Sequence, residues 1–219
     1  METMSKPLLI TKYPIATNSW DHKEPWGTKQ DNTHCVAFAT ACERYFKRKV
    51  SMLDIGCAGG GLVQDFLEHG HMAVGLEGSD YSLVRKRAAW GSVPSNLFTC
   101  DVTKPFRLLN PSVFDVVGCW GVIEHFDEYD LENVWSNVRE HMSEHSIFCG
   151  LIGTTTDGNW HRTVKDRKWW YQHLRTHFTL LDHYALFSER EFPRGSGNGQ
   201  FDLSVNTNPD WGCHFVATL

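Results

Sequence analysis

Short apolar runs alternate with amphipathic stretches along most of the sequence. THCVAFATACERYFKR (33–48), with Asn32 as a possible N-cap, has the apolar spacing of a helix. VSMLDIG (50–56) is a continuous apolar run, the pattern of a strand buried on both faces. LVQDFLEHG (62–70) returns to helical spacing and is closed by Gly70. HMAVGLEG (71–78) predicts a second strand, and Ser79 or Asp80 caps a helix running through Ala89. LFTCDV (97–102), VFDVVGCW (113–120) and SIFCGLIG (146–153) predict three more strands. LENVWSNVREHM (131–142) and VKDRKWWYQHLRTH (164–177) are helical, and FTLLDHYALF (178–187) and CHFVATL (213–219) read as the last two strands. Residues 1–32 are rich in Pro, Trp and polar groups without a period. They predict an irregular arm in front of a domain spanning 33–219.

Strand–helix alternation implies an α/β fold: a doubly wound, mostly parallel seven-stranded sheet with right-handed crossovers. The connection over 187–212 carries no long helical pattern, so the last two strands should close the sheet as an antiparallel hairpin. In such sheets ligands bind outside the carboxyl ends of the strands, at the switch point.

Composition narrows this further. A hydrophobic share of 41% and an aromatic share of 13% exclude whole-chain disorder. The net charge of −5 argues against a general nucleic-acid binder. No apolar run reaches the roughly 18 to 20 residues of a membrane helix, and the first residues carry no signal-peptide pattern. Seven cysteines form no C-x-x-C pair, and four lie in or beside strand-like runs. Buried thiols in a reducing, cytoplasmic setting are the expectation.

The candidate chemistry concentrates at strand ends. LDIGCAGGG (53–61) delivers Asp54 at the end of a strand. It then offers glycines at 56, 59, 60 and 61, which let the backbone turn tightly and a ligand approach it. Ala58 stands where a G-x-G-x-x-G dinucleotide fingerprint needs glycine, and no G-x-x-x-x-G-K-[ST] loop is present. Glu77, 23 residues after Asp54, ends the second strand and can accept hydrogen bonds from ribose hydroxyls. Asp101 ends the third strand and can accept from an exocyclic adenine amine.

LDIGCAGGG (53–61), AVGLEGSD (73–80), FTCDVTKPF (98–106) and FDVVGCWGVIEHF (114–126) together resemble the class I S-adenosylmethionine-dependent methyltransferases, in particular their small-molecule branch. The resemblance implies a Rossmann-like methyltransferase fold with S-adenosyl-L-methionine as cofactor. It assigns Asp54, Gly56, Cys57, Ala58 and Gly59 to the amino acid part and Glu77, Gly78 and Ser79 to the ribose. Asp101 and Val102 fall to the adenine, and Cys119, Trp120 and Gly121 to the methionine side near the methyl group. Glu77-Gly78-Ser79 stands where Asp-x-Ser is common. The segment DHKEPWGTKQDN (21–32) also looks like a segment that precedes the domain in some of these enzymes.

The acceptor side is less determined. A sulfonium is already a strong methyl donor, so the enzyme must mainly align the groups and exclude water. An oxygen acceptor (a sugar, polyol or carboxylate) is the expectation, and a hydroxyl benefits from a general base. His125 and His161 are the candidate bases, though a cap or a loop position also explains each. Residues 161–175 carry Arg162, Lys165, Arg167, Lys168 and Arg175 against Asp166 alone, a solvated face or a rim for an anionic substrate. Trp26, Trp160 and Trp169 are candidate stacking surfaces, and at most one of Trp169 and Trp170 can point fully into a core. Segments 12–34 and 160–177 hold ten of the 21 Trp and His residues. The position after the fourth strand reads GCWG, without the prolines of base-amine methyltransferases, which argues against a nucleic-acid substrate. An inactive, cofactor-binding relative and a nicotinamide oxidoreductase are the remaining alternatives. His141 and His145 have no further ligand at metal spacing, so a metal-independent reaction is expected. The oligomeric state stays open.

Overall fold

Seven strands share one sheet in the computed structural model, which describes residues 6–16, 34–156, 161–188, 191–193 and 211–219. In chain order the elements are β1 (Leu8–Thr11), α1 (Val36–Phe46), β2 (Ser51–Ile55), α2 (Gly61–Glu68), β3 (Met72–Glu77), α3 (Tyr81–Arg85), β4 (Leu97–Thr99), β5 (Phe106–Leu109), β6 (Val116–Trp120), α4 (Leu131–Glu140), β7 (Ile147–Gly153), α5 (Arg167–Arg175), β8 (Thr179–Leu180), α6 (His183–Leu186) and β9 (Gly212–Thr218). Short 3₁₀ turns cover Ala88–Gly91, Ile123–His125 and Glu128–Asp130.

The large sheet runs β4-β3-β2-β6-β7-β9-β8. Its first five strands are parallel, and β9 is antiparallel to both β7 and β8. This is the doubly wound sheet with a closing hairpin expected from the sequence. The chain steps outward from β2 to β4, then returns to the other side of β2 as β6. The switch point therefore lies between the carboxyl ends of β2 and β6.

Alternation along each strand divides the core. Leu53, Val117, Phe148 and Phe215 face α4 and α5, packing with Trp135, Trp170 and Leu174. Met52, Val116, Cys149 and Val216 face α1 and α2, packing with Phe38, Val63 and Phe66. β6 and β7 approach so closely that a Cβ on Gly150 would sit 2.0 Å from the Cys119 carbonyl oxygen. All seven cysteines are free, and all but Cys35 are buried.

Three expectations need correction. First, residues 8–11 of the presumed irregular arm form a strand, paired antiparallel with β5 from Leu8↔Leu109 to Thr11↔Phe106. Both strands are four residues long, too short to show a period, and their partners are distant in sequence. Second, the helix after Asp80 stops at Arg85, where Lys86 turns left-handed at φ 49°, and a 3₁₀ turn follows. Third, the run 178–187 is a two-residue strand and then a four-residue helix, because the chain leaves the sheet at Asp182. Asn32, Trp20, His22 and most of the connection 188–210 lie outside the described residues. Among the described residues no helix is long and apolar enough to cross a membrane.

Candidate active site

The loop after β2 is shaped by its backbone. Gly56 has φ 75°, and a Cβ there would lie 2.3 Å from Val122 Cγ2, so only glycine lets the loop meet the turn after β6. The Gly56 and Cys57 amides donate to the Leu76 carbonyl at 2.8 and 2.9 Å. Ala58 is held left-handed at φ 48°, a costly conformation for a residue with a Cβ. Two contacts hold it there: its amide donates to Glu77 Oε2 at 2.8 Å, and its carbonyl accepts from Trp90 Nε1 at 2.9 Å. The Gly59 carbonyl accepts from the Ala89 amide at 3.0 Å. The Cys57 thiol is buried against Gly75, so the loop offers backbone rather than sulfur.

The three acids predicted at strand ends lie at the ends of β2, β3 and β4. Asp54 is 2% exposed, and its Oδ1 has no hydrogen-bond partner among the described residues. Burial, reinforced by the charge of Glu77, pushes its carboxyl up to about 8. Glu77 also accepts the Ser79 amide, at 3.0 Å on Oε1. Asp101 Oδ1 accepts from the Thr103 amide and hydroxyl at 3.0 and 2.6 Å, a turn that does not use Oδ2. Val102 packs into the core, and its carbonyl accepts from Asn137 Nδ2 at 2.9 Å. The N-terminal segment crosses this edge: the Asp101 amide donates to the Tyr13 carbonyl at 2.9 Å, and the Ala16 amide to the Gly78 carbonyl at 3.0 Å.

At the end of β6 the Cys119 thiol packs into the core. Trp120 Nε1 is buried without a partner among the described residues. It would stand 2.8 Å from a Cβ on Gly118, with Asp54 Oδ1 3.7 Å from the same point. Gly121 turns left-handed at φ 68° and donates to the Leu151 carbonyl at 2.8 Å. The chain then enters the Ile123–His125 turn.

That turn and the segment after β7 bring the two candidate histidines together. The His125 and His161 rings meet edge to face at 5.0 Å between centroids. Glu124, which the sequence reading passed over, completes the group. It is 2% exposed, its Oε1 accepts the Gly153 amide at 2.8 Å, and His161 Nε2 is 3.9 Å from the same oxygen. Glu124 lies inside the VIEHF stretch itself, but only the fold shows that its side chain turns toward residue 161, 37 positions later. His161 Nδ1 donates to the Thr155 carbonyl at 2.5 Å, which places a proton on Nδ1.

The cationic stretch resolves into two kinds of residue. Arg162 forms a double contact with Asp127 at 2.8 and 2.7 Å, and Lys165 pairs with Glu128 at 2.9 Å while lying over the Trp169 ring. Both predicted substrate-binding cations are thus committed to acids of the chain's own loop. Arg167 ties α5 to β9 through the Gly212 carbonyl at 2.7 Å, whereas Lys168 and Arg175 are exposed. A cavity of about 880 Å³ runs from Thr154 along Lys165, Arg167, Lys168, Tyr171 and Arg175. Asp166 caps α5 by accepting the Trp169 amide at 2.7 Å. Trp170 is fully buried, and Trp169 is partly buried and stacked on His173 at 4.8 Å. Trp26 and Trp160 lie outside the described residues. His141 is structural: Nε2 accepts the Leu108 amide at 3.1 Å and Nδ1 donates to the Asn137 carbonyl at 2.7 Å.

The structure thus combines a doubly wound sheet, a glycine loop at its switch point and acids on three successive strand ends, the place where such sheets take ligands. Residues 53–148 match the family model for the methyltransferase domain. Over residues 53–148 the chain is similar to that methyltransferase domain, and its fold is that of solved S-adenosylmethionine-dependent methyltransferases. Three solved structures illustrate the likeness. An S-adenosylmethionine-dependent methyltransferase from Clostridium acetobutylicum superposes with a TM-score of 0.58 at 13% identity, covering 89% of this chain and 96% of that one. A TehB-like methyltransferase from Corynebacterium glutamicum gives 0.55 at 17% identity, covering 83% and 86%. The 1,6-didemethyltoxoflavin-N1-methyltransferase of Burkholderia thailandensis, solved with its substrate and S-adenosylhomocysteine, gives 0.52 at 14%, covering 83% and 77%. No curated protein matches the chain in sequence.

Proposed function

We propose that the chain transfers a methyl group from S-adenosylmethionine to an oxygen of a small anionic or sugar-like acceptor. The donor set fits the cofactor. The unmatched, buried Asp54 Oδ1 suits its ammonium group, the Glu77 carboxyl at the end of β3 suits the ribose diol, and Asp101 Oδ2 suits the adenine amine. The bound cofactor supplies the electrophilic methyl group, and the protein's work is alignment and exclusion of water. Residues 6–16, running beside Gly78 and Asp101, are the cover of the nucleotide end.

The observation that carries the acceptor assignment is the group at the ends of β6 and β7. His161 holds its Nδ1 proton on the Thr155 carbonyl, so Nε2 can take a proton from an acceptor hydroxyl. A hydroxyl acceptor gains from that arrangement because it sheds its proton as the O–C bond forms. The cavity beside Thr154, with exposed Lys168 and Arg175, suits a carboxylate or phosphate on the acceptor. The free, buried thiols suit a reducing compartment.

Release of S-adenosylhomocysteine over a panel of sugars, hydroxy acids, carboxylates and amines tests the reading. Turnover is expected with hydroxyl-bearing anions, and His161→Ala should lower kcat by about 100-fold or more while leaving S-adenosylhomocysteine affinity unchanged. Methylation of amines alone would overturn the oxygen assignment.

A further inference from the structure

We propose that Glu124, His125 and His161 form a binding site for a divalent transition-metal ion of the Zn²⁺ type, placed to bind the acceptor oxygen. This rests on the reading of the group as the acceptor end of a methyltransferase.

Each of the three residues offers one ligand atom, and these atoms lie within 4.8 Å of one another. Two further observations point to a ligand. The Glu124 side chain is almost wholly buried, and its Oε2 has no hydrogen-bond partner among the described residues. Buried carboxyl oxygens are rarely left so, and a cation at this point satisfies it. His161 also has the outer arrangement of a metal-bound imidazole. Its Nδ1 proton is anchored on a backbone carbonyl, and its Nε2 stands 3.9 Å from the Glu124 carboxyl. The Gly153 amide on Glu124 Oε1 anchors the carboxyl in the same way.

Two imidazoles and one carboxylate select zinc, iron, cobalt or manganese over calcium and magnesium, which prefer all-oxygen shells. Ligand atoms around a zinc ion stand about 3.4 Å apart, so small rotations of His125 and His161 close the shell. Three protein ligands leave one or more positions open. A hydroxyl bound there becomes more acidic and loses its proton to water while the oxygen keeps the bonding pair. That pair forms the O–C bond as the C–S bond breaks and its electrons go to sulfur. With the ion bound, the metal takes over from His161 the task of easing proton loss, and the base role of His161 belongs to the metal-free protein.

The other candidate group is Glu132, His173 and His177 on α4 and α5. It is less suited, because the Glu132 side chain is 65% exposed and His173 Nε2 already accepts the Trp135 indole at 2.9 Å.

The test uses full-length protein stripped with a chelator and titrated with Co²⁺ and with Zn²⁺. One equivalent of ion is expected, with the visible absorption of coordinated cobalt. Outer-shell partners are worth about 10- to 100-fold in metal affinity, so Glu124→Gln and His161→Ala should each weaken binding by more than about 100-fold. Both variants should keep their circular dichroism spectrum and S-adenosylhomocysteine affinity, and His177→Ala should bind metal like the parent. Absence of metal binding in a protein that binds S-adenosylhomocysteine overturns the site and leaves the methyltransferase reading intact. Unchanged binding in the Glu124 and His161 variants overturns it equally. A protein that binds metal through these residues but not S-adenosylhomocysteine keeps the site and overturns the reading beneath it.

Discussion

The Glu77 carboxyl holds the Ala58 amide at 2.8 Å, so the acid at the end of β3 also fixes the loop after β2. On the proposed reading, one residue both shapes the loop and presents oxygens to the cofactor. Glu77→Gln retains one acceptor oxygen where the parent offers two. A hydrogen bond to a charged group is worth about 1.5–3 kcal/mol, so S-adenosylhomocysteine affinity should fall by roughly tenfold to a hundredfold. Calorimetric titration reads this directly, and unchanged affinity would show that the carboxyl only braces the loop.

Gly56 and Val122 give a second prediction. Gly56→Ala must hold a Cβ at φ 75° and 2.3 Å from Val122 Cγ2. The left-handed conformation costs about 1–2 kcal/mol and the overpacking about 1–3 more. Urea denaturation should show the sum, and adding Val122→Ala should restore the packing part alone.

Asp54 makes the stability of the ligand-free protein depend on pH. Its carboxyl is pushed up to about 8, whereas an unfolded Asp titrates near ~3.9. Between these values the native state holds a proton that the unfolded chain has released. Stability therefore falls as pH rises from about 4 to about 8 and levels off above, at up to about 1.4 kcal/mol per unit. Asp54→Asn removes this slope and should gain on the parent between pH 5 and pH 8 in denaturation experiments. A difference that does not change with pH would mean that the native Asp54 is charged.

The ion pairs of the cationic stretch separate binding from scaffolding. Arg162 and Asp127 form an exposed pair, so Arg162→Ala should cost no more than about 1 kcal/mol. Lys168→Glu and Arg175→Glu alter the cavity and should raise KM for an anionic acceptor with kcat nearly unchanged. Steady-state kinetics with charged and neutral acceptors distinguishes the two.

Thiol labelling supplies a fifth test. Burial pushes Cys35 up to about 11 and Cys100 and Cys213 up to about 12. Thiolates are the reactive form, so the native protein should label slowly at neutral pH, and all seven cysteines should label after unfolding.

The sheet was legible because buried parallel strands such as 51–55 and 147–153 are continuous apolar runs with helices between them. The strand-end acids were legible because their positions follow from that alternation. The β1–β5 ribbon was not, since its pairing joins residues about a hundred positions apart and nothing local marks it. Glu124 escaped for a related reason. A turn after a strand looks alike whether its carboxyl faces solvent or the Gly153 amide. The cationic stretch was visible as charge, but its pairing with Asp127 and Glu128 depends on how two loops meet.

β9 follows β8 in sequence but lies between β7 and β8 in space. It is the sheet neighbour that β7 has on that side, and β8 pairs with it alone. A chain that has folded residues 51–153 before 212–218 dock carries an open edge along β7, with amides and carbonyls free to recruit another molecule. Aggregation during synthesis or refolding is thus governed by how soon the last strand arrives, and a tight ligand at the switch point gives that edge no protection.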